Sequence, residues 1–216
     1  MAPTGLRERK KRRTEASIVE AAFGLFNERG FEAATIAEVA ERAEAAVGTL
    51  YNYFESKSHI LVAVLLAETK KYAEQAAEQA ARTTHTIKNS SAGGLSAVRA
   101  RLMAYSDAYL ESYSSHSRQL WLEMFSGLFK GRARADELFS SDSNALGPIS
   151  TLITPVELTD GATEGVGATA MHLREALTIH SVIMAALLQY ITDERVGLDE
   201  AKRVARERIR QLASRG

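Results

Sequence analysis

The chain has 216 residues, 45% of them apolar and 25% charged, an ordinary globular balance with length for one or two domains and a substantial core. It has no cysteine, which excludes disulfides, thiolate metal sites and cysteine nucleophiles, and no apolar run long enough for a membrane span or signal peptide, so a cytoplasmic protein is expected. Lys plus Arg balances Asp plus Glu at 27 each, which argues against a general polyanion-binding coat and leaves room for a local patch.

Only three prolines, with abundant Ala, Glu, Arg and Leu, predict an all-α chain. Residues 1–5 are expected to be disordered. A first helix should run from Leu6 to Arg29, with Ile18, Ala22, Leu25 and Phe26 as its apolar stripe and Gly30 just past its end. Its opening, RERKKRR at residues 7–13, carries six basic side chains and one acidic. The helix macrodipole disfavours positive charge there. The run is either a solvated flank or a set of phosphate contacts, Arg12 and Arg13 among them.

Thr35 to Lys57, TIAEVAERAEAAVGTLYNYFESK, is the stretch around which the chain is organised. Thr35 and Glu38 have capping-box spacing: the hydroxyl takes an orphan N–H and the carboxylate reaches back. Ile36, Val39, Ala40 and Ala43 fall on one face of a short helix, and Val47, Leu50, Tyr51 and Phe54 repeat that spacing after a turn of about three residues. Two such helices cannot bury themselves alone and read as a helix-turn-helix packed on its neighbours. Leu50 and Phe54 read as core; Tyr51 is either half-buried packing or an outward group.

The run GTLYNYFESK (Gly48 to Lys57) after TIAEVA resembles the DNA-binding signature of the tetracycline-repressor (TetR) family, and the basic helix before it and the all-helical remainder extend the likeness loosely to the whole chain. One departure is Glu44, where the family usually has Gly. A left-handed turn residue other than Gly should cost about 1 kcal/mol or less. The resemblance implies that Thr35, Thr49, Tyr53 and Lys57 contact phosphates. It implies further that a helix from about Ala46 to Tyr53 lies in the major groove with Val47, Gly48 and Tyr51 toward the bases. Asn52 is the one side chain of that helix able to read adenine by a bidentate pair. The helix is otherwise poor in readout chemistry, so DNA shape or water should carry part of any specificity.

A fourth helix should run from Ser56 to about Arg82, followed by a loop from His85 to Gly94. Leu95 to Ser114 reads as a fifth helix. His116 to Lys130 reads as a sixth, apolar on more than one side through Leu120, Trp121, Met124, Phe125, Leu128 and Phe129, hence buried or facing a cavity. Residues 134–154 suggest a seventh helix kinked or split at Pro148, and Pro155 to Gly167 a loop. Ala168 to Thr192 and an amphipathic, basic-leaning Leu198 to Ser214 complete about nine helices.

The sequence alone leaves the last two helices as either monomer core or interface; the resemblance implies a four-helix homodimer interface with their copies. It also implies a body, residues 56–216, that encloses a pocket for an unknown small-molecule effector, beside a DNA-binding head of residues 1–55. The pocket candidates are Tyr105, Tyr109, Trp121, Met124, Phe125, His180 and Met184, with Gln119 and Glu123 beside them, against the plainer reading of all as core.

Nothing points to catalysis, a metal or a cofactor. His59, His85, His116, His172 and His180 form no i, i+3 or i, i+4 pair. Gly161, Gly165 and Gly167 match no phosphate-binding loop, and no G-x-S-x-G occurs. The expected protein is a transcriptional repressor, a homodimer on a palindromic double-stranded DNA operator, released by its effector, with no enzymatic or membrane role. The alternative is a helical dimer that has lost DNA binding and serves as a protein-interaction module.

Overall fold

The computed structural model describes residues 5–87, 94–130 and 166–213, and every regular element among them is helical. The order is α1 (Leu6–Arg29), α2 (Ile36–Arg42), α3 (Val47–Tyr51), α4 (Lys57–Ile87), α5 (Gly94–Ser114), α6 (Arg118–Lys130), α7 (Val166–Thr192) and α8 (Leu198–Ala213). The chain is all-α, as its composition predicts.

Two boundaries differ from the sequence reading. α4 continues through His85 to Ile87, into the segment expected to be a loop, because no Gly or Pro interrupts it there. α3 has one and a half turns and ends at Tyr51, two residues short of expectation, with Asn52 as its cap. The helix expected at 134–154, its break at Pro148 and most of the following loop lie outside the described residues; Val166 and Gly167, expected in that loop, open α7.

The described residues gather into two compact units. The first comprises α1, α2, α3, the start of α4 and α6; the second comprises the rest of α4, α5, α7 and α8. In the first, Ile18, Ala22, Leu25 and Phe26 of α1 are buried with Val39 and Ala40 of α2, Leu50 of α3 and Ile60 and Leu61 of α4. Each large side chain buried in this way contributes about 1.5–3 kcal/mol. Arg42 clasps Glu28 through two bonds of 2.8 and 2.7 Å, and Arg29 pairs with Glu38, so α2 is also tied to α1 at its polar edge.

The short elements depend on their ends. α1 stops at Gly30 with φ 79° and ψ 159°, a conformation open in practice only to Gly. Thr35 and Glu38 form the capping box of α2: the Glu38 N–H donates to Thr35 Oγ1 at 3.2 Å and the Thr35 N–H to Glu38 Oε2 at 2.9 Å. At the other end, the Ala45 N–H donates to the Ala40 carbonyl at 2.9 Å and the Glu44 N–H to the Glu41 carbonyl at 3.1 Å, the Schellman pattern. That pattern places Glu44 in the left-handed region, φ 52°, the one non-Gly positive φ among the described residues. The strain foreseen at this position is therefore present.

In the second unit α8 packs on α5 and α7, burying Ala201, Ala205 and Ile209 at a four-residue repeat. Arg206 holds Asp107 of α5 in a fork of 2.7 and 2.6 Å, and Lys202 pairs with Glu111 one turn further along α5. Asp107 in turn holds the Arg206 guanidinium more firmly protonated.

Glu44→Gly should relieve the turn and stabilise the protein by about 0.5–1 kcal/mol, part of the gain being offset by the entropy of the unfolded chain. Glu44→Val, whose β-branch tolerates positive φ worst, should destabilise it. Urea unfolding of both variants beside the parent measures this; equal midpoints for all three would show that the turn carries no strain.

Candidate nucleic-acid interface

The buried and exposed residues of α3 divide it into two sides. Leu50 is buried, as is Phe54 beyond the helix end, and these fix the element in the core. On the other side Val47 and Tyr51 are 41% and 55% exposed, with Ala46, Gly48 and Asn52 also exposed beside them. Two large apolar side chains left in water on so short an element are costly unless something covers them. Tyr51 is thus outward and not half-buried packing. Thr49 and Tyr53 are half-buried at the margins of this surface. At Gly48 an added Cβ would meet nothing within 4 Å, so the fold itself does not require glycine there.

The basic opening of α1 is exposed from Arg7 to Arg13. Its N-cap, Gly5, supplies no side-chain acceptor. Arg12 has a loose contact with Glu8 at 3.6 Å, both side chains well in solvent, which is worth little. Six cations placed where the helix dipole disfavours them do not serve the fold.

Thr35 and Lys57 are both engaged within the chain, Thr35 as the expected cap of α2. The Thr35 hydroxyl accepts from the Glu38 N–H and donates its one proton to the Glu38 carboxylate at 2.8 Å. These bonds hold that carboxyl below its usual range. A phosphate at Thr35 would have to displace an anion. Lys57 is turned inward: its ammonium donates to the carbonyls of Phe31, Glu32 and Ala34 at 2.8, 3.1 and 3.0 Å and lies 4.5 Å from the centre of the Phe31 ring. All three N–H donors of the ammonium are engaged. The reason is local: the loop between α1 and α2 leaves these carbonyls without helical partners, and Lys57, at the first position of α4, reaches them.

One partner of that loop had no signal in the sequence. Glu123 of α6 accepts the Phe31 N–H at 3.1 Å and the Gln119 side-chain amide at 3.1 Å. Glu123 and Gln119, named above as pocket candidates, are thus engaged at the head. Trp121, Met124 and Phe125 also fall in the first unit, buried, with Trp121 6.2 Å from Phe23 of α1 and 5.9 Å from His116, ring centre to ring centre. The other pocket candidates come together in the second unit: Tyr105 and Tyr109 stack at 5.8 Å, His180 lies 6.3 Å from Tyr109, and the Tyr109 hydroxyl is 3.8 Å from Met184 Sδ. Burial pushes both phenols well up and the His180 imidazole down, so all three are neutral near pH 7. Among the described residues no three His, Asp or Glu side chains converge on a metal-sized site, and no helix is long and apolar enough to cross a membrane.

A capped short helix, a Schellman turn and a second short helix with one face buried and the other bare make a helix-turn-helix module. Residues 18–64 match the family model described as bacterial regulatory proteins, tetR family. That match spans the helix-turn-helix and the start of α4. It is similar to the HTH-type transcriptional repressor KstR of Rhodococcus jostii (strain RHA1), 46% identical over 65 residues, which are 30% of this chain and 28% of that protein. It is also similar to KstR of Mycolicibacterium smegmatis (strain ATCC 700084 / mc(2)155), 48% identical over 65 residues, 30% of this chain and 29% of that one. The chain thus spans under a third of the length of the curated relatives it matches. As a fold, it is similar to FadR of Thermus thermophilus, a TetR-family transcriptional repressor solved in complex with lauroyl-CoA. The TM-score is 0.57 at 19% identity, covering 92% of each chain.

Lys57→Ala should act through stability more than through charge. It strips three carbonyls of a cationic donor, so the chain should lose about 2 kcal/mol in urea unfolding. The salt dependence of any DNA binding should then change by less than the one counterion expected for a lost phosphate contact. Unchanged stability with a slope shallower by about one would return Lys57 to the DNA.

Proposed function

We propose that the chain is a transcriptional repressor. It binds a palindromic double-stranded DNA operator as a homodimer and is released by a small-molecule effector held in its second unit. The observation that carries this reading is the bare outer face of α3, where Val47, Tyr51 and Asn52 surround a glycine that the fold leaves open. A glycine with empty space above it suits the close approach of a DNA backbone or groove wall. The exposed cations of residues 7–13, Arg12 and Arg13 among them, supply attraction to the phosphates beside it. Thr49 and Tyr53, half-buried at the edge, offer hydroxyls to phosphate oxygens; Thr35 does so once its hydroxyl leaves Glu38.

The names of the matched relatives support repression, and the lauroyl-CoA complex shows that one protein of this fold holds a small molecule. Dimerisation through the last two helices would use the surface that α8 leaves after burying Ala201, Ala205 and Ile209 inside its own chain. Leu177 of α7 and Leu212 of α8 are large apolar side chains left exposed on these two helices, 40% and 38%. In a dimer each head meets one major groove, the two about 34–36 Å apart. An effector that favours another head spacing by about 1–3 kcal/mol releases the DNA, with α4, which contributes to both units, as the moving element. The protein works in the cytoplasm and needs no cofactor or enzymatic step.

Fluorescence anisotropy against DNA selected from a random pool, over a salt series, tests this. The parent protein should bind its selected site with an affinity that falls steeply with salt and exceeds that for random DNA by at least about a thousandfold. Gly48→Ala should leave urea stability equal or higher, by up to about 1 kcal/mol, since Ala is the better helix former. Its DNA affinity should fall at least about tenfold, or 1.4 kcal/mol. If selection returns no preferred sequence, the exposed Val47–Tyr51 surface is a protein-docking face and the interaction-module reading takes over.

A further inference from the structure

The second unit buries an aromatic and hydroxyl cluster whose polar atoms are only partly used. Tyr105, Tyr109 and Tyr113 lie along one side of α5 at four-residue spacing, all with no exposed surface. The Thr69 hydroxyl of α4 lies 3.3 Å from that of Tyr113, which lies 3.1 Å from that of Tyr109. The chain of hydroxyls then ends on Met184 Sδ at 3.8 Å, a weak acceptor for a phenol proton. Around the Tyr109 ring two more polar atoms, Tyr105 OH and His180 Nδ1, are buried without a hydrogen-bond partner among the described residues. Buried groups of this kind cost stability when left unmade, and a native fold keeps few of them without a reason. Two gathered about one ring, one from α5 and one from α7, are more than packing calls for.

From this geometry we propose that the Tyr105, Tyr109, His180 and Met184 cluster binds an uncharged, mainly apolar molecule through a single carbonyl or hydroxyl oxygen. The inference rests on the reading of the second unit as the effector-binding one and adds the chemistry of the ligand. An oxygen placed beside Tyr109 takes a phenol proton far better than the thioether does and reaches the unused Tyr105 hydroxyl or imidazole nitrogen. The surrounding rings and the Met184 side chain cover an apolar body.

Charge is selected against. The phenols are held protonated by burial and by one another, and His180 is held neutral by burial. Arg101, one turn before Tyr105 on α5, is a buried cation whose Nε has no hydrogen-bond partner among the described residues, and it is the group that would weaken this selection if it turned toward the cluster. A carboxylate or sulfonate seated at Tyr109 would shed its water among the neutral side chains of Tyr105, Tyr109 and His180.

The test uses the full chain and two fluorescent probes of similar size. One is the neutral naphthalene ketone prodan; the other is the anionic anilinonaphthalene sulfonate. Prodan should bind saturably with a blue-shifted emission, and the sulfonate at least about tenfold more weakly. Tyr105→Phe and Tyr109→Phe should each lower prodan affinity about fivefold. Ligand-free Tyr105→Phe should melt at the same temperature as the parent or higher, because it loses an unsatisfied buried hydroxyl; a merely structural tyrosine would melt lower and leave probe binding unchanged. Absence of saturable prodan binding, equal binding of the sulfonate, or unaltered binding by both Phe variants would overturn the proposal. DNA anisotropy on the same preparations separates the two readings. A protein that binds DNA but not prodan refutes this site alone, and one that binds prodan but not DNA refutes the repressor alone.

Discussion

One ammonium group fixes the geometry of the helix-turn-helix. Lys57, at the start of α4, donates to three loop carbonyls between α1 and α2, those of Phe31, Glu32 and Ala34, and lies beside the Phe31 ring. Phe31 is also held at its N–H by Glu123 of α6 and on its ring by Phe26 of α1, with centres 5.3 Å apart. Three helices therefore meet at one loop residue, four positions before the capping box that starts α2. A hydrogen bond from a charged donor to a half-buried carbonyl is worth more than a neutral one, and losing it leaves the carbonyl bare. The α2–α3 pair is too short to hold its own orientation, so this clamp and the core contacts of Val39, Ala40 and Leu50 set where α3 points.

The same unit carries features that the clamp does not explain. A six-cation run opens a helix at the end where the dipole repels it, Val47 and Tyr51 stand in water, and Gly48 occupies a helix with open space above it. Each weakens the isolated domain a little, and all belong to the first helix opening or to the bare side of α3. Glu44 is different in kind. Its positive φ is a cost of closing the α2–α3 turn with a side chain where none is favoured. The distinction separates residues kept for an outside partner from a residue the fold merely tolerates.

Local physics was legible in the sequence and long-range partnership was not. The α1 limits, the capping box, the buried stripe of α2 and α3 and the left-handed turn at Glu44 all follow from interactions within five residues. The spacing of Thr35 and Glu38 or of Leu50 and Phe54 encodes them directly. The carbonyl partners of Lys57 lie 23 to 26 residues back and leave no mark in the local sequence, because a lysine at a helix start looks the same whether it faces a phosphate or a loop. Glu123 binds 92 residues away from itself in sequence, at Phe31. The aromatic residues of α5 and α6 have one composition and two fates, because hydrophobic patterning fixes which side of a helix is buried and not which neighbour buries it.

That limit bears on α5, whose two sides do opposite work. Asp107 and Glu111 face α8, where Arg206 and Lys202 hold them. Tyr105, Tyr109 and Tyr113 lie roughly half a turn around the same helix, given 3.6 residues per turn. The charged side is satisfied in full by partners from its own chain, partly in solvent, and each pair adds about 1 kcal/mol at most. The tyrosine side is buried, neutral and incompletely bonded. A helix anchored by ion pairs and small-residue packing on one side can keep unmet hydroxyls on the other without losing its place. The ion pairs with α8 thus allow a cluster that would otherwise be the weakest part of the unit to persist in one arrangement, ready for a partner that completes its hydrogen bonds.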